Sequence, residues 1–254
     1  MVTGAGAVDL VVIVAAIAIG AFIKGATGGG LPQIAIPVMA AFLGVERSVV
    51  VMAIPGVVAN GWLVWSHRAE ARLTRDLPAM LAGGMVGSVV GTMLLKALDS
   101  RVLSAVLAAV IITYIVLATV RPGFTFSPRV TKVASPPVGV AAGGLQGATG
   151  ISGPLLSTYL HGFGLPPRAY VFALSTLFFA FSLVQTTTLF GVGLYTPERV
   201  GESLLALVPI ALALPLGSRM ARRLSVRTFQ RVVLVLLTAS AAALVHETIT
   251  GGAS

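Results

Sequence analysis

The most regular feature of the chain is a series of long apolar stretches separated by short polar segments. The clearest stretches cover residues 49–65, 77–95, 102–120 and 169–194, and a further one follows at about 200–217. A helix needs about 20 apolar residues to cross the roughly 30 Å hydrocarbon layer of a membrane. Because stretches of nearly this length follow one another, the pattern predicts an all-α polytopic membrane protein.

Two other apolar regions, residues 8–44 and 136–166, are interrupted near their middle by glycine. The arms of the second region are about a dozen residues long, which at 1.5 Å per residue gives about 18 Å. Such an arm is too short to cross the hydrocarbon layer. Each region is therefore interpreted as a glycine-broken hairpin, either re-entrant or made of two short spans, which returns to the side where it began.

The two halves of the chain carry the same motif. The tetrapeptide Gly-Ala-Thr-Gly occurs at 25–28 and again at 147–150, and a proline follows each copy at the same distance, as Pro32 and Pro154. A single four-residue match could arise by chance in a chain rich in glycine and alanine. The shared proline, spacing and order of segments instead indicate an internal duplication.

The duplication predicts three regions: a first repeat at 1–120, a cytoplasmic linker at 121–134 and a second repeat at 135–254. Each repeat is expected to contain one glycine-broken hairpin followed by three transmembrane helices. Late in each repeat, Gly91 corresponds to Gly217. Because each repeat holds an odd number of spans, the second repeat should enter the membrane with inverted topology.

The distribution of basic residues supports this orientation. Arginine and lysine are concentrated in the segments 68–75, 121–132 and 219–231, whereas the loop at 193–198 contains neither. Short cytoplasmic loops of membrane proteins carry an excess of such residues. With all three basic segments inside, the number of spans between them is even, and both termini are predicted outside.

The composition narrows the class further. Hydrophobic residues make up 56% of the 254 residues and charged residues 10%, against roughly a quarter charged in soluble domains. The absence of cysteine excludes disulfides, thiolate metal sites and cysteine nucleophiles. The net charge of +9 lies mostly in short loops, where it is explained by topology rather than by binding to nucleic acid. Neither a metal nor a cofactor is expected.

Each glycine motif predicts a break between two helices. An interior glycine costs about 1 kcal/mol relative to alanine, and proline suits the first turn of a helix because its missing N–H would be unpaired there. We therefore expect one helix to end near Ile23 and the next to begin near Leu31. In the second half the corresponding positions are Gln146 and Gly153.

The start of a helix offers unpaired N–H groups and about half a positive charge, which together favour an anion. Two such starts facing one another near the midplane of the membrane would form an anion site. The candidate binding residues are the glycines of both breaks and the polar side chains beside them. They are Lys24, Gly25, Thr27, Gly28, Gly29, Gly30 and Gln33 in the first half, and Gln146, Gly147, Thr149, Gly150, Ser152 and Gly153 in the second.

Three side chains leave alternatives open. Lys24 is the one formal charge at either break, and an ionisable residue inside a membrane is a functional candidate; its alternative is to extend to the cytoplasmic surface. Asn60 and Gln185 occupy nearly equivalent positions in the two repeats. They either line the pathway or form hydrogen bonds between helices.

The carboxylates lie at or near the ends of the predicted spans. A cation transporter would be expected to place a carboxylate in mid-span. An enzyme would require a nucleophile or a cluster of metal ligands, which three scattered histidines do not provide. The sequence therefore favours neither a cation transporter nor an enzyme.

The two motifs resemble a known family. Residues 24–32 (Lys-Gly-Ala-Thr-Gly-Gly-Gly-Leu-Pro) and 146–154 (Gln-Gly-Ala-Thr-Gly-Ile-Ser-Gly-Pro), in two halves of this length, are similar to the TauE/SafE family of sulfite and organosulfonate exporters. The resemblance covers nearly the whole chain. It implies a multi-pass protein of the bacterial inner membrane that moves small sulfur oxyanions such as sulfite, sulfoacetate or thiosulfate.

These observations together predict a secondary transporter. The expected activity is export of a small sulfur-containing anion, such as sulfite, sulfoacetate or another organosulfonate, by alternating access between the inverted repeats. The alternative is a channel-like facilitator of small anions that uses the same site. The expected partners are the anion and the lipid bilayer, and a homo-oligomer is left open.

Overall fold

The structure is a computed structural model, and it describes residues 6–27, 30–74, 77–119 and 127–220 together with the single residues 238, 242 and 245. Every regular element in these ranges is helical, which confirms the predicted all-α class. The elements in chain order are α1 (Ala7–Thr27), α2 (Leu31–Leu43), α3 (Val45–Ser66), a 3-10 helix (Arg68–Leu73), α4 (Leu77–Ala97), α5 (Ser100–Thr119), α6 (Pro128–Thr149), α7 (Gly153–His161), α8 (Pro167–Gly191), α9 (Pro197–Leu205) and α10 (Leu207–Met220).

Several helices are long and apolar enough to cross a membrane. Among the described residues these segments are Val8–Gly25, Val45–Ser66, Leu77–Ala97, Pro167–Gly191 and Pro197–Gly217. Helix α5 adds a shorter apolar stretch, Ser100–Thr113. The polytopic membrane class is thereby confirmed. The span predicted after Arg219 lies outside the described ranges.

Each broken hairpin consists of one long and one short helix. Helices α1 and α6 contain 21 and 22 residues, whereas α2 and α7 contain 13 and 9. At 1.5 Å per residue the short helices measure about 20 and about 14 Å, less than the thickness of the hydrocarbon layer. The second hairpin was predicted to have two arms of about a dozen residues. This was wrong for its first arm, because α6 contains 22 residues.

Helix α6 begins at Pro128, inside the segment predicted to be a linker, and continues through Pro136 and Pro137. Proline removes hydrogen bonds from a helix, but here tertiary packing outweighs that loss. A Cβ on Gly139 would lie 3.0 Å from the Cα of Met80, and one on Gly143 would overlap the carbonyl oxygen of Gly84. The two backbones are therefore in direct contact along α4 and α6, as small residues allow in membranes.

Matching contacts recur in the two halves. A Cβ on Gly91 of α4 would overlap the carbonyl oxygen of Gly144 in α6, and one on Gly217 of α10 would overlap that of Phe22 in α1. Phe22 and Gly144 each lie three residues before the glycine that opens the tetrapeptide motif. The packing of α4 on α6 is thus matched by the packing of α10 on α1.

Helices α3 and α8 form the third main contact, at the centre of the protein. Gly56, in the middle of α3, faces Ser182 of α8, whose Oγ would lie 3.3 Å from a Cβ at that glycine. One end of the molecule, called the Arg47 end, contains the starts of α1, α3 and α9. An ion pair of 2.8 Å between Asp9 and Arg47 joins the first two of these starts, so the first hairpin returns to the end where it began.

The opposite end, called the Arg68 end, contains the end of α3, the 3-10 helix and the start of α4. The 3-10 helix packs on α8 there. The guanidinium of Arg68 lies over the ring of Trp65, 4.3 Å from its centroid. Exposed tryptophan and arginine at a helix end are typical of the boundary between membrane and water.

The close contact between α4 and α6 predicts a clear difference between two glycines. Replacing Gly143 by alanine should lower the free energy of unfolding by about 1–3 kcal/mol, because the added methyl group overlaps the α4 backbone. Gly201→Ala is the matched control, since a Cβ there meets nothing within 4 Å. Thermal unfolding in detergent measures both variants. Equal stability of the two would contradict the described packing.

Candidate functional site

The second helix of each broken hairpin begins where the sequence predicted it. Helix α2 begins at Leu31 and α7 at Gly153, as expected. The preceding helices, however, continue to Thr27 and Thr149, so the predicted ends near Ile23 and Gln146 were wrong by about one turn. Among the described residues, the irregular backbone of the second break is confined to 150–152, and Gly30 directly precedes α2.

Gly147 explains the longer course of α6. A Cβ on this residue would overlap the carbonyl oxygen of Ser88 and come within 2.6 Å of the backbone nitrogen of Thr92, both in α4. The glycine therefore allows close packing within the helix and does not end it. The turn itself uses Gly150, whose φ of 69° lies in the left-handed region, and Gly30 plays the same part before α2 with a φ of 99°.

The two breaks touch one another. A Cβ on Gly153, at the start of α7, would overlap the amide nitrogen of Gln33 in the first turn of α2. A Cβ on Gly150 would overlap the Cδ1 of Ile36, which also belongs to α2. The structure thus brings the helix starts of both halves together, 120 positions apart in sequence.

A small cavity of about 10 Å³ lies beside this contact. This volume accommodates about one water molecule. Its walls come from both hairpins and from the crossing of α3 and α8. They are formed by Pro32, Ile36, Val49, Met52, Ala53, Gly56, Asn60, Gln146, Gly150, Phe178, Ser182 and Gln185.

Lys24 is almost completely enclosed, with 1% of its surface exposed. Its Nζ donates a hydrogen bond of 2.8 Å to Asn60 Oδ1 and lies 5.7 Å from the centroid of the Phe178 ring. The alternative in which Lys24 extends to the cytoplasmic surface was therefore wrong. None of the ion pairs in the described part of the chain involves this lysine.

The second break holds a network of amides and a hydroxyl. Ser152 Oγ donates to Gln146 Oε1 at 2.8 Å. The amide of Gln185 donates to the backbone carbonyl of Gln146 at 2.8 Å and to that of Gly147 at 3.2 Å. Both carbonyls lie in the last turn of α6. That of Gln146 also accepts the N–H of Gly150 at 2.8 Å, whereas the N–H of Ile151 bonds to the Thr149 hydroxyl and so leaves the Gly147 carbonyl without its helical donor. Gln185 therefore completes the hydrogen bonds that the break leaves open.

Asn60 and Gln185 each contact the residue that precedes the motif of their half, Asn60 as an acceptor and Gln185 as a donor. Asn60 on α3 binds Lys24, the residue before the first motif, and Gln185 on α8 binds Gln146, the residue before the second. Both residues also line the cavity. Hydrogen bonding between helices is confirmed for both residues, and lining of the pathway stays a prediction.

Thr149 supports the turn itself. Its hydroxyl donates to the carbonyl of Leu145 at 2.8 Å and accepts the N–H of Ile151 at 3.2 Å, and the residue is fully buried. Gln33 differs, because its Oε1 is buried and has no hydrogen-bond partner within the described ranges. Gly25 lies in the last turn of α1, next to Lys24.

The remaining predicted residues of the first motif lie outside what the structure describes. These are Gly28, Gly29 and the side chain of Thr27.

The two helix starts also matter chemically, because neither α2 nor α7 has a side chain capping its first N–H groups. Such groups remain available to an anion.

The site residues predicted from the sequence did not include Phe178 and Ser182, which line the cavity. They stand seven and three residues before Gln185 on α8. Residues separated by three, four and seven positions share one face of a helix. Once Gln185 was considered as a lining residue, this spacing would have indicated both.

The fold and the site define a class of protein: a helical membrane protein in which two glycine-broken hairpins meet beside a buried lysine at the crossing of two long spans. Residues 12–244 match the family model for the sulfite exporter TauE/SafE. The chain therefore belongs to the TauE/SafE family of transporters, which confirms the resemblance seen in the two motifs. No curated protein and no solved structure matches the chain.

The bond between Lys24 and Asn60 predicts strong coupling between these residues. Asn60→Leu removes the acceptor of a buried ammonium and should lower the free energy of unfolding by about 1–3 kcal/mol. Lys24→Met should have an effect of similar size, because it leaves the Asn60 oxygen without its donor.

The double variant should be no less stable than either single variant, because replacing both partners by apolar side chains removes both unpaired groups. Chemical unfolding of the four proteins in detergent gives the double-mutant cycle. Simple addition of the two single effects would show that the bond is absent in solution.

Proposed function

We propose that the protein is a secondary transporter that exports a small sulfur-containing anion, such as sulfite, sulfoacetate or another organosulfonate. The anion binds between the two broken hairpins, next to Lys24. Membership of a family of sulfite exporters supports the general activity. The observation that carries the site is the buried ammonium of Lys24, which has an amide oxygen and an aromatic ring as neighbours.

Electrostatics favours an anion at this position. Removing a charge from water costs several kcal/mol, and a nearby opposite charge offsets this cost. No carboxylate in the described part of the chain pairs with Lys24. A bound anion would supply the opposite charge, and the uncapped N–H groups of α2 and α7 would add hydrogen bonds.

Gln33 suits a place at the centre of this site. It lies in the first turn of α2 and touches Gly153 at the start of α7. Its amide group therefore reaches from one hairpin to the other. An oxyanion held by both helix starts would contact the amide nitrogen of Gln33 and the hydroxyl of Ser152, while the other predicted residues shape the surrounding backbone.

The narrow cavity favours alternating access over an open pore. A volume of about 10 Å³ holds one water molecule, so a sulfur oxyanion requires the hairpins to separate. We assign the first repeat to residues 1–120 and the inverted second repeat to 135–254. The matched contacts Gly91–Gly144 and Gly217–Phe22 support this division, and inverted repeats are a common basis of alternating access.

The Arg47 end is assigned to the outside of the cell and the Arg68 end to the cytoplasm. The described basic side chains at the Arg68 end include Arg68, Arg72 and Arg168. An excess of basic residues marks the cytoplasmic side. With this orientation in the inner membrane, the N-terminus lies outside, and an even number of spans places the C-terminus on the same side.

The role of Lys24 predicts a loss of substrate binding. Lys24→Met should weaken sulfite binding at least about tenfold, because a difference of 1.4 kcal/mol is already tenfold in affinity and the lost charge pair is buried. Lys132→Met is the matched control, since Lys132 is exposed on α6. Calorimetry on the purified protein measures binding of sulfite, sulfoacetate and thiosulfate.

Transport assays in proteoliposomes complete this test. Sulfite flux should saturate with concentration and show counterflow, and Lys24→Met should abolish both while Lys132→Met retains them. Flux without saturation or counterflow would instead identify a channel-like facilitator. Unchanged binding and flux in Lys24→Met would refute the assigned site.

A further inference from the structure

Ion pairs join the two halves of the chain at the Arg47 end. The Nη1 of Arg47 lies 2.8 Å from a carboxylate oxygen of Asp9. Its Nε donates to Glu202 at 3.3 Å, and its Nη2 donates to the other oxygen of the same carboxylate. Arg47 therefore links α1 and α3 in the first half to α9 in the second.

A second set of contacts reinforces this closure. Arg199 of α9 pairs with Glu46 of α3 at 2.8 Å and donates to the carbonyl of Leu194 at 2.9 Å. The hydroxyl of Tyr195 donates to the carbonyl of Val50 at 2.8 Å. The loop between α8 and α9 is thereby fixed to the start of α3.

The position of Arg47 relates this cluster to the cavity. Arg47 precedes Gly56, at the crossing of α3 and α8, by nine residues, or roughly 14 Å along the helix. Val49 and Met52, which lie between them, line the cavity. The ion pairs therefore lie at the Arg47 end, between the cavity and the surface of the molecule on that side. We call Asp9, Arg47 and Glu202 the outer cluster.

Helices α4 and α8 are in contact from their middle to this end. Ser88 Oγ donates to the carbonyl of Phe181 at 2.9 Å. The ring of Phe181 occupies the space where a Cβ of Gly84 would lie. Where the two helices end, Lys96 Nζ donates to the carbonyl of Val192 at 2.6 Å.

The equivalent helices of the other half are not packed in this way. In the register that relates Gly91 to Gly217, Gly84 and Ser88 correspond to Ile210 and Leu214 of α10. Instead of a tight contact, α10 and α3 enclose an apolar groove of about 350 Å³. The groove is lined by Val58, Ala59, Trp62, Leu207, Ile210, Ala211, Leu214 and Pro215.

The two halves therefore differ at equivalent places. The contact of α4 with α8 is closed toward the Arg47 end, whereas the contact of α10 with α3 is open toward the Arg68 end. If the two inverted repeats exchange conformations during transport, the α4–α8 contact opens and the α10–α3 contact closes. The outer cluster lies at the closed Arg47 end. It ties α3 there to α9, and α9 leads directly into α10.

We propose that the outer cluster is the outer gate of the transporter, and that its opening is coupled to closure of the α3–α10 groove. This inference rests on the proposed function and identifies its moving parts. When Arg47 releases Glu202, α4 separates from α8 toward the outside. At the same time α10 packs against α3 toward the cytoplasm, which fills the groove.

The arrangement of charges suits a reversible contact. Arg47 has two acidic partners, so loss of Glu202 leaves it paired with Asp9. Arg47 is partly buried, so losing both partners would leave a charge without compensation at a cost in free energy. With one partner retained, the gate opens without leaving Arg47 unpaired.

The test measures two distances in variants of a chain that contains no cysteine. Spin labels at Ser66→Cys and Arg219→Cys report the separation of α3 and α10 at the Arg68 end. Labels at Ala97→Cys and Gly191→Cys report the separation of α4 and α8 at the Arg47 end. Each labelled pair is combined with Glu202→Gln, which removes one charge of the gate.

Glu202→Gln should shorten the inner distance in the first labelled protein and lengthen the outer distance in the second, under the same conditions. Glu198→Gln, an exposed residue of the same helix, is the matched control and should leave both distances unchanged. Arg47→Gln breaks the same ion pair from the other side and serves as a second variant if Glu202→Gln does not fold.

Distances are recorded by pulsed electron resonance in liposomes without any anion, so the result does not depend on sulfite being the substrate. Opposite shifts of the two distances support the coupled gate even if sulfite is not transported. Unchanged distances, or lengthening of both together, in a folded Glu202→Gln or Arg47→Gln protein would overturn it.

Discussion

Inside a hydrocarbon layer, each backbone group released by a chain break needs a hydrogen-bond partner, and this requirement governs the centre of the protein. At the second break, Gln185 donates to two carbonyls in the last turn of α6, and the Thr149 hydroxyl accepts the N–H of Ile151. Gln146, held in the same network, receives a hydrogen bond from Ser152. The polar side chains around the break therefore stabilise its irregular backbone by bonding the groups that the helix no longer pairs.

The first half places a charge at the equivalent position. Lys24 stands where the second half has Gln146, and Asn60 stands where it has Gln185. The two halves thus share a scaffold in which a residue on the third helix holds the residue that precedes the motif. The difference between an ammonium and an amide gives the centre its net positive charge, and this asymmetry is the physical basis for assigning an anion to the site.

Much of this arrangement could be predicted from the sequence because it depends on local chemistry. Proline marked the first turns of α2 and α7, and glycine marked the turns that precede them. The end of α6 was placed one turn too early because Gly147 contacts a helix that is distant in sequence. The pairing of Arg47 with Glu202 could not be predicted either, since these residues are 155 positions apart and neither lies in a motif.

The claim on which the site depends is that the breaks of both halves are in contact. The natural absence of cysteine allows a direct test with Gln33→Cys and Gly153→Cys. The Cγ of Gln33 lies 3.4 Å from the position of a Cβ on Gly153, within reach of a disulfide. Mild oxidation in membranes should join the two halves, so that a protein cleaved in the 121–126 segment still migrates as one chain. Failure of this pair to cross-link, while Gln33→Cys reacts equally well with a cysteine at the remote exposed position Gly164, would contradict the contact.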